Sequence, residues 1–284
     1  MDDHRPERGT LVMHRSPPPS RERFPVTDVT KAHTARVWNY WLGGKDNYAA
    51  DREVGEQVLA VLPEVVAAAR AQRGFLVRTV RYLVAEMGIR QFLDIGTGLP
   101  SANNTHEVAQ ATAPECRIVY VDNDPLIMAH ARALLTSTPE GATDYVHADL
   151  RNPDAILRKA AHTLDFTRPI ALMLLGIVEH ILNTDVAYAI VNQLVEALPT
   201  GSYLVLCDPT TEVGREVMLE AIQRWNENAT PLITARSRQE LMRFFDGLEL
   251  LEPGVVPSSL WRPEAIELGT QVEVFNFGGV GRKP

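Results

Sequence analysis

Three aspartates, each near the end of a short apolar run, are the residues whose type and spacing point to chemistry. The first run, Phe92-Leu93-Asp94-Ile95, leads directly into Gly96-Thr97-Gly98-Leu99-Pro100-Ser101. Glycine has no Cβ, so Gly96 and Gly98 let the backbone turn sharply and a ligand lie against it. The second run ends in Val121-Asp122-Asn123. A carboxylate there can accept hydrogen bonds from both hydroxyls of a ribose. The third ends in Ala148-Asp149-Leu150, where a carboxylate can accept from an exocyclic amine such as that of adenine. Singly, each feature has a plain structural explanation. A Gly-x-Gly pair makes a tight strand-to-helix turn, and Asp122 and Asp149 can cap helices opening at Pro125 and Pro153. Jointly, the three fall in order on consecutive strands, where one nucleoside touches all of them.

The elements that must position these residues follow from periodicity. From Gln91 onward, strands and helices alternate. Strands are expected at 92–95, 117–121, 145–148, 170–175, 203–207, 248–252 and 272–277. Helices are expected at 101–113, 125–136, 153–164, 185–198, 215–228 and 238–245. This alternation means βαβ units and an α/β fold with a mostly parallel sheet. No long helix separates the last two strands, so the last is expected to be antiparallel. Ahead of this lie three expected helices, near 36–42, 49–62 and 63–87, the first stopped by Gly43-Gly44. In the third, Val65, Ala69, Leu76, Val80, Leu83 and Met87 recur at helical spacing. Residues 1–30 contain five prolines among scattered charges and no apolar period, so they read as a disordered or loosely attached arm. The expected organisation is an arm (1–30), a helical cap (31–88) and a Rossmann-like domain (89–284).

Bulk properties narrow the function. The formal net charge of −8 argues against a nucleic-acid backbone as partner, because phosphates call for a basic face. No apolar stretch is long enough to span a bilayer. The start, Met1-Asp2-Asp3-His4-Arg5-Pro6, lacks the apolar core of a secretory signal. Cys116 and Cys207 sit inside apolar runs and read as buried and reduced, so a cytoplasmic location is expected. No Cys or His cluster has metal-ligand spacing.

Dinucleotide dehydrogenases require a third glycine where this chain has Ser101, and Asp94 would stand beside their pyrophosphate. Asp94-x-Gly96-x-Gly98, with Asp122 and Asp149, instead resembles class I S-adenosylmethionine-dependent methyltransferases. The stretch Arg36-Val37-Trp38-Asn39-Tyr40-Trp41-Leu42-Gly43-Gly44-Lys45-Asp46-Asn47-Tyr48 and the terminal Phe277-Gly278-Gly279-Val280-Gly281-Arg282-Lys283-Pro284 narrow the likeness. The chain resembles an actinobacterial family of S-adenosyl methyltransferases, once classed as a domain of unknown function, from about Thr34 to its end. The resemblance implies a seven-stranded Rossmann-like sheet with a reversed last strand. It also implies S-adenosylmethionine as cofactor and S-adenosylhomocysteine as product. By the same resemblance, Gly96, Thr97 and Gly98 lie beside the methionine portion, with Asp94 acting on its ammonium. Asp122 and Asn123 meet the ribose, Asp149 meets the adenine amine, and Leu150 flanks the ring. Leu175 and Gly176 line the sulfonium side. Trp38, Tyr40, Trp41 and Tyr48 either pack over the cofactor or bury themselves in a core. The resemblance names no acceptor; a small molecule is expected, and the oligomeric state is left open.

Methyl transfer from a sulfonium needs alignment and exclusion of water, and needs a base only if the acceptor is protonated. Glu179 and His180, just beyond the fourth strand, are the candidates for that base. Two other readings of the same residues stay open: a nucleoside-binding protein without catalysis, and a nicotinamide-nucleotide enzyme on this fold.

Overall fold

The computed structural model of the chain describes residues 28–100, 102–124, 127, 136–263 and 273–284. The expected arm therefore lies almost wholly outside the described residues, as do Ser101 and nearly all of the helix expected at 125–136.

The described chain opens on a two-residue strand, β1 (Ala32–His33), followed by helices α1 (Thr34–Trp41), α2 (Ala49–Val61) and α3 (Val65–Ala85). A single carboxylate ties the first three together. Asp51, fully buried on α2, accepts from the backbone N–H of His33 at 3.0 Å and of Tyr48 at 2.8 Å. It also pairs with Arg36 Nε of α1 at 2.8 Å. Arg36 donates onward to the Lys31 carbonyl at 2.5 Å.

Strands and helices then alternate: β2 (Gln91–Ile95), α4 (Thr105–Thr112), β3 (Arg117–Asp122), β4 (Ala142–His147), α5 (Pro153–Ala160) and β5 (Ala171–Leu175). A 3-10 turn at Val178–His180 leads to α6 (Thr184–Glu196), β6 (Tyr203–Pro209), α7 (Arg215–Asn228), β7 (Ala229–Thr230) and α8 (Arg238–Arg243). The short strands β8 (Glu249–Leu250) and β9 (Val256–Pro257) precede β10 (Asn276–Arg282). The main sheet runs β4-β3-β2-β5-β6-β10-β8, with β9 also on β10. Strands β2 to β6 pair in parallel, and β10 runs antiparallel to both β6 and β8. This is the Rossmann-like arrangement expected, with its reversed strand.

Both faces of the sheet are covered. Helices α3 and α4 bury Phe75, Leu76, Leu83, Val108 and Ala109 on one side. Helices α5, α6 and α8 bury Ile156, Ile190, Leu194 and Leu241 on the other. Helix α3, grouped with the cap in the sequence, thus packs on the sheet beside α4. Helices α1 and α2 instead join α7 in a separate cluster built on Trp41, Val54, Val58, Met218 and Trp225.

Three expectations shift. The last strand, expected at 272–277, runs over 276–282 instead. Its Gly278-Gly279-Val280-Gly281 run lies beyond the expected strand, since glycine weakens strands. Here, however, aromatic rings press on the backbone: a Cβ on Gly278 would lie 2.8 Å from the Phe75 ring, and one on Gly281 2.8 Å from the Phe245 ring. Helix α4 starts at Thr105, not Ser101, because Asn104 and Glu107 form its capping box. Strands β1 and β7, unexpected from sequence, pair in parallel through Ala32↔Ala229 and His33↔Thr230. Among the described residues, no helix is long and apolar enough to cross a membrane.

Removing Asp51 leaves the Arg36 guanidinium buried without its carboxylate. Asp51→Ala is therefore expected to destabilise the protein by about 3–5 kcal/mol, the range for breaking a buried ion pair. Urea denaturation checks this, and a loss below about 1 kcal/mol would show that Asp51 does not organise this end of the chain.

Candidate active site

Strand β2 is flanked by β3 on one side and β5 on the other, so the chain reverses its direction of sheet-building beside it. Ligands of open α/β sheets bind at the carboxyl ends of the strands, at this reversal. A cavity of about 430 Å³ opens there. Asp94, Gly96, Thr97, Gly98, Asp122, Asn123, Asp149, Leu150, Leu175, Gly176 and His180 all line it. Glu179 does not.

The turn after β2 depends on glycine. Gly96 adopts φ +80°, and a Cβ there would lie 2.6 Å from the Ile177 side chain. The turn is tied to the next strand, since Gly98 N–H donates to Asp122 Oδ2 at 3.2 Å. The other Asp122 oxygen accepts from Asp124 N–H at 2.9 Å. Asp94 accepts from the Thr105 hydroxyl at 2.6 Å. Burial pushes both carboxyls up to about 6, Asp94 against the opposing pull of Thr105 and of the nearby Arg73 charge. Asp149 is more exposed. It accepts from Asn123 Nδ2 at 3.0 Å, from Arg151 N–H at 2.8 Å and from Arg151 Nη1 at 3.2 Å. Burial opposes ionisation of Asp149, but these bonds and the Arg151 charge prevail and hold its pKa below the ordinary value. Helix α5 is capped by Asn152, which accepts from Ala155 N–H, so Asp149 is not needed for that task.

The N-terminal segment closes the cavity with His33, Thr34, Trp38, Asn39, Gly43 and Gly44. Asn39 Oδ1 accepts from Asp46 N–H at 3.0 Å and from Asn47 Nδ2 at 2.9 Å, which shapes the loop after α1. The four aromatics divide. Trp38 lines the cavity, Trp41 packs 6.1 Å from Trp225, Tyr40 bonds Glu56, and Tyr48 stands at the start of α2.

Arg73 was missed from sequence. It lines the cavity from α3 and donates to the Ala102 carbonyl at 3.0 Å and to Asn104 Oδ1 at 3.0 Å. A signal was present: Arg73 interrupts the apolar series Ala69, Leu76, Val80 at helical spacing.

The Glu179–His180 pair is split by the fold. The Glu179 side chain is buried beside Asp208 and Arg236, and burial with the Asp208 charge drives its pKa well up. Arg236 donates to the carbonyls of Val178 at 3.1 Å and Ile181 at 2.6 Å, which fixes the 3-10 turn. His180 faces the cavity. Its Nδ1 lies 3.1 Å from the Leu232 carbonyl, which can only accept, so Nδ1 carries the proton and Nε2 the lone pair. Burial pushes its pKa down to about 4, so it is neutral at pH 7.

Residues 21–284 match the family described as S-adenosyl methyltransferase. The chain belongs to this family. A solved structure of a DUF574 family protein from Streptomyces avermitilis is 43% identical, with a TM-score of 0.87 over 90% of this chain and 99% of that one. A candidate methyltransferase from Thermobifida fusca is 40% identical, with a TM-score of 0.83 over 90% of this chain and 96% of that one. Magnesium protoporphyrin IX methyltransferase from Synechocystis, with bound S-adenosylhomocysteine, shares the fold at 12% identity, with a TM-score of 0.53 over 87% of this chain and 93% of that one. No curated protein matches the sequence. The protein is an S-adenosylmethionine-dependent methyltransferase, and its cofactor belongs in a Rossmann-like fold of this kind.

The raised carboxyls give this methyltransferase a pH signature. Asp94 and Asp122 carry pKa values near 6 in the folded chain, above their unfolded values, so the fold gains stability as pH falls from 7 toward 4. A ligand that sets an ammonium and ribose hydroxyls against these carboxyls would need their ionised forms. The affinity for S-adenosylhomocysteine is therefore expected to move the opposite way and weaken by about tenfold or more from pH 7.5 to pH 5. Calorimetry across this range checks it, and Asp94→Asn should reduce the dependence to the part that Asp122 contributes.

Proposed function

We propose that the methyltransferase holds S-adenosylmethionine in the cavity at the β2–β5 edge and methylates a small-molecule acceptor. The observation that carries this reading is that Asp94, Asp122 and Asp149, from three consecutive parallel strands, all line one cavity with the Gly96–Gly98 turn. The chemistry of this set fits the ligand. Asp94 offers a carboxylate to the ammonium, with Gly96, Thr97 and Gly98 against the methionine chain. Arg73, beside Asp94, offers a guanidinium to its carboxylate. Asp122 and Asn123 take the ribose, and Asp149 with Leu150 the adenine. Leu175 and Gly176 line the sulfonium side. One buried polar atom on this wall, Thr34 Oγ1, has no hydrogen-bond partner among the described residues, as expected where a ligand completes the set.

The bound group supplies a methyl already activated by positive sulfur. The protein's part is to align the acceptor and keep water out. Trp38, Ile177, Ile181 and Pro231 give the wall its apolar share, and His180 Nε2 is available to accept a hydrogen bond from the acceptor. Glu179, turned toward Asp208 and Arg236, acts at most through the turn that carries His180. The net charge of −8 favours a small acceptor over a polynucleotide.

Asp122→Ala is expected to weaken S-adenosylhomocysteine binding by about 1.5–3 kcal/mol, roughly ten- to a hundredfold in Kd. Unchanged affinity by calorimetry would remove Asp122 from the ribose. The acceptor class is tested by incubating the enzyme with methyl-labelled S-adenosylmethionine and a cell extract separated by size. Label appearing only in the macromolecular fraction would overturn the small-molecule reading.

A further inference from the structure

We propose that His33, paired with Asp124, is the residue that takes the proton from the acceptor during methyl transfer. The proposal rests on the cavity being the methyl-transfer site and assigns a further role within it.

His33 reaches the cavity through an unusual route. It lies on β1, whose pairing with β7 sets His33 opposite Thr230. The residues after Thr230 are Pro231, which lines the cavity, and Leu232, whose carbonyl holds His180. The two-strand ribbon thereby brings two imidazoles from distant parts of the chain to one wall. They are close enough for the His33 charge to disfavour protonation of His180.

The two are not equivalent. His180 has no ionised carboxylate to support an imidazolium: Glu179 Oε1 lies 3.9 Å from Nε2 but holds its own proton strongly, and Arg151 and His33 add positive charge. His33 has such a partner. Its Nδ1 lies 3.7 Å from Asp124 Oδ2, too far for a hydrogen bond but close enough for charge pairing. Nδ1 is buried and makes no hydrogen bond among the described residues. Catalytic hydrogen bonds are often long before the reacting complex forms. The groups facing His33 are Asp124 after β3, Asp51 on α2, Arg36 on α1 and His180 after β5. Burial and Arg36 disfavour the imidazolium, and Asp124 and Asp51 favour it. The backbone of His33 is fixed by its N–H bond to Asp51, so the ring has little freedom to leave the wall.

In the step proposed, the acceptor's O–H or N–H atom bonds to the methyl carbon as the carbon–sulfur bond breaks, its electron pair remaining on sulfur. The acceptor proton passes to His33 Nε2, with Nδ1–H donating to Asp124, and then to water. Atoms and charge balance without a further reagent. The acceptor class this implies carries a hydroxyl or a protonated nitrogen. An acceptor already bearing a bare lone pair would leave the pair idle.

The test uses the full chain with 15N-labelled histidine, without and with S-adenosylhomocysteine. His33→Gln assigns the His33 resonance. Asp124→Asn is expected to lower the His33 titration midpoint by about one pH unit, because the carboxylate charge that favours the imidazolium is gone. Affinity for S-adenosylhomocysteine should stay within about threefold of wild type. An unchanged midpoint overturns the pairing, whether or not the ligand binds. Failure of the wild type to bind the ligand overturns the cavity reading separately. With the labelled product of the wild-type enzyme as readout, His33→Gln is expected to slow single-turnover transfer by about 10²–10⁴ at pH 7. A rate within about threefold of wild type overturns the proton-accepting role.

Discussion

The reversal of strand order beside β2 is the constraint on which the rest of the protein depends. Parallel strands joined by right-handed crossovers place their connecting helices on one face until the chain changes direction and on the other face afterwards. Between β2 and β5 the two series part, and the strand ends there cannot be covered by their own helices. The crevice is thus a consequence of topology. The turns beyond β2, β3, β4 and β5 all empty into it, so residues far apart in sequence become neighbours.

A second constraint decides how the crevice is closed. Asp51 gathers His33, Tyr48 and Arg36 around one buried carboxylate. A buried ion pair contributes little net stability compared with apolar packing, but it is costly to break, so it fixes geometry well. Here the geometry is the placement of α1 across the cavity, with His33, Trp38 and Asn39 on the wall. The cluster of α1, α2 and α7 around Trp41 and Trp225 supplies the apolar burial that the ion pair does not.

The site itself is electrostatically unsettled. Asp94 and Asp122 are buried with pKa values near 6, and both would be better solvated elsewhere. Perturbed carboxyls of this kind concentrate where a ligand is to complete the charge balance. A ligand bearing a sulfonium and an ammonium, as proposed, would do so, whereas a pyrophosphate would be repelled.

The sequence by itself determined the alternation of strands and helices, the reversed last strand and the three aspartates at consecutive strand ends. These are local signals: apolar runs of strand length, helical periodicity, and glycines in a turn. Of the residues that the sequence singled out, Asp94, Gly96, Gly98, Asp122, Asp149 and His180 line one cavity, because strand ends share an edge by topology. Glu179 adjoins His180 in sequence and its Oε1 comes within 3.9 Å of His180 Nε2, yet its carboxyl is buried beside Asp208 and Arg236 and does not line the cavity. The strand at 276–282 was hidden because its glycines answer to Phe75 and Phe245, which sit far away in the chain. His33 was decided by tertiary structure alone, and Arg73 mostly so, its one sequence signal being its place in the apolar series of α3. Arg73 looks like one surface arginine among many until α3 docks on the sheet. His33 sits in a strand of two residues, too short for any period, held by a partner strand almost two hundred residues on and by its N–H bond to Asp51. Periodicity reads the forces between near neighbours, and these two positions are set by contacts that exist only once the chain has closed.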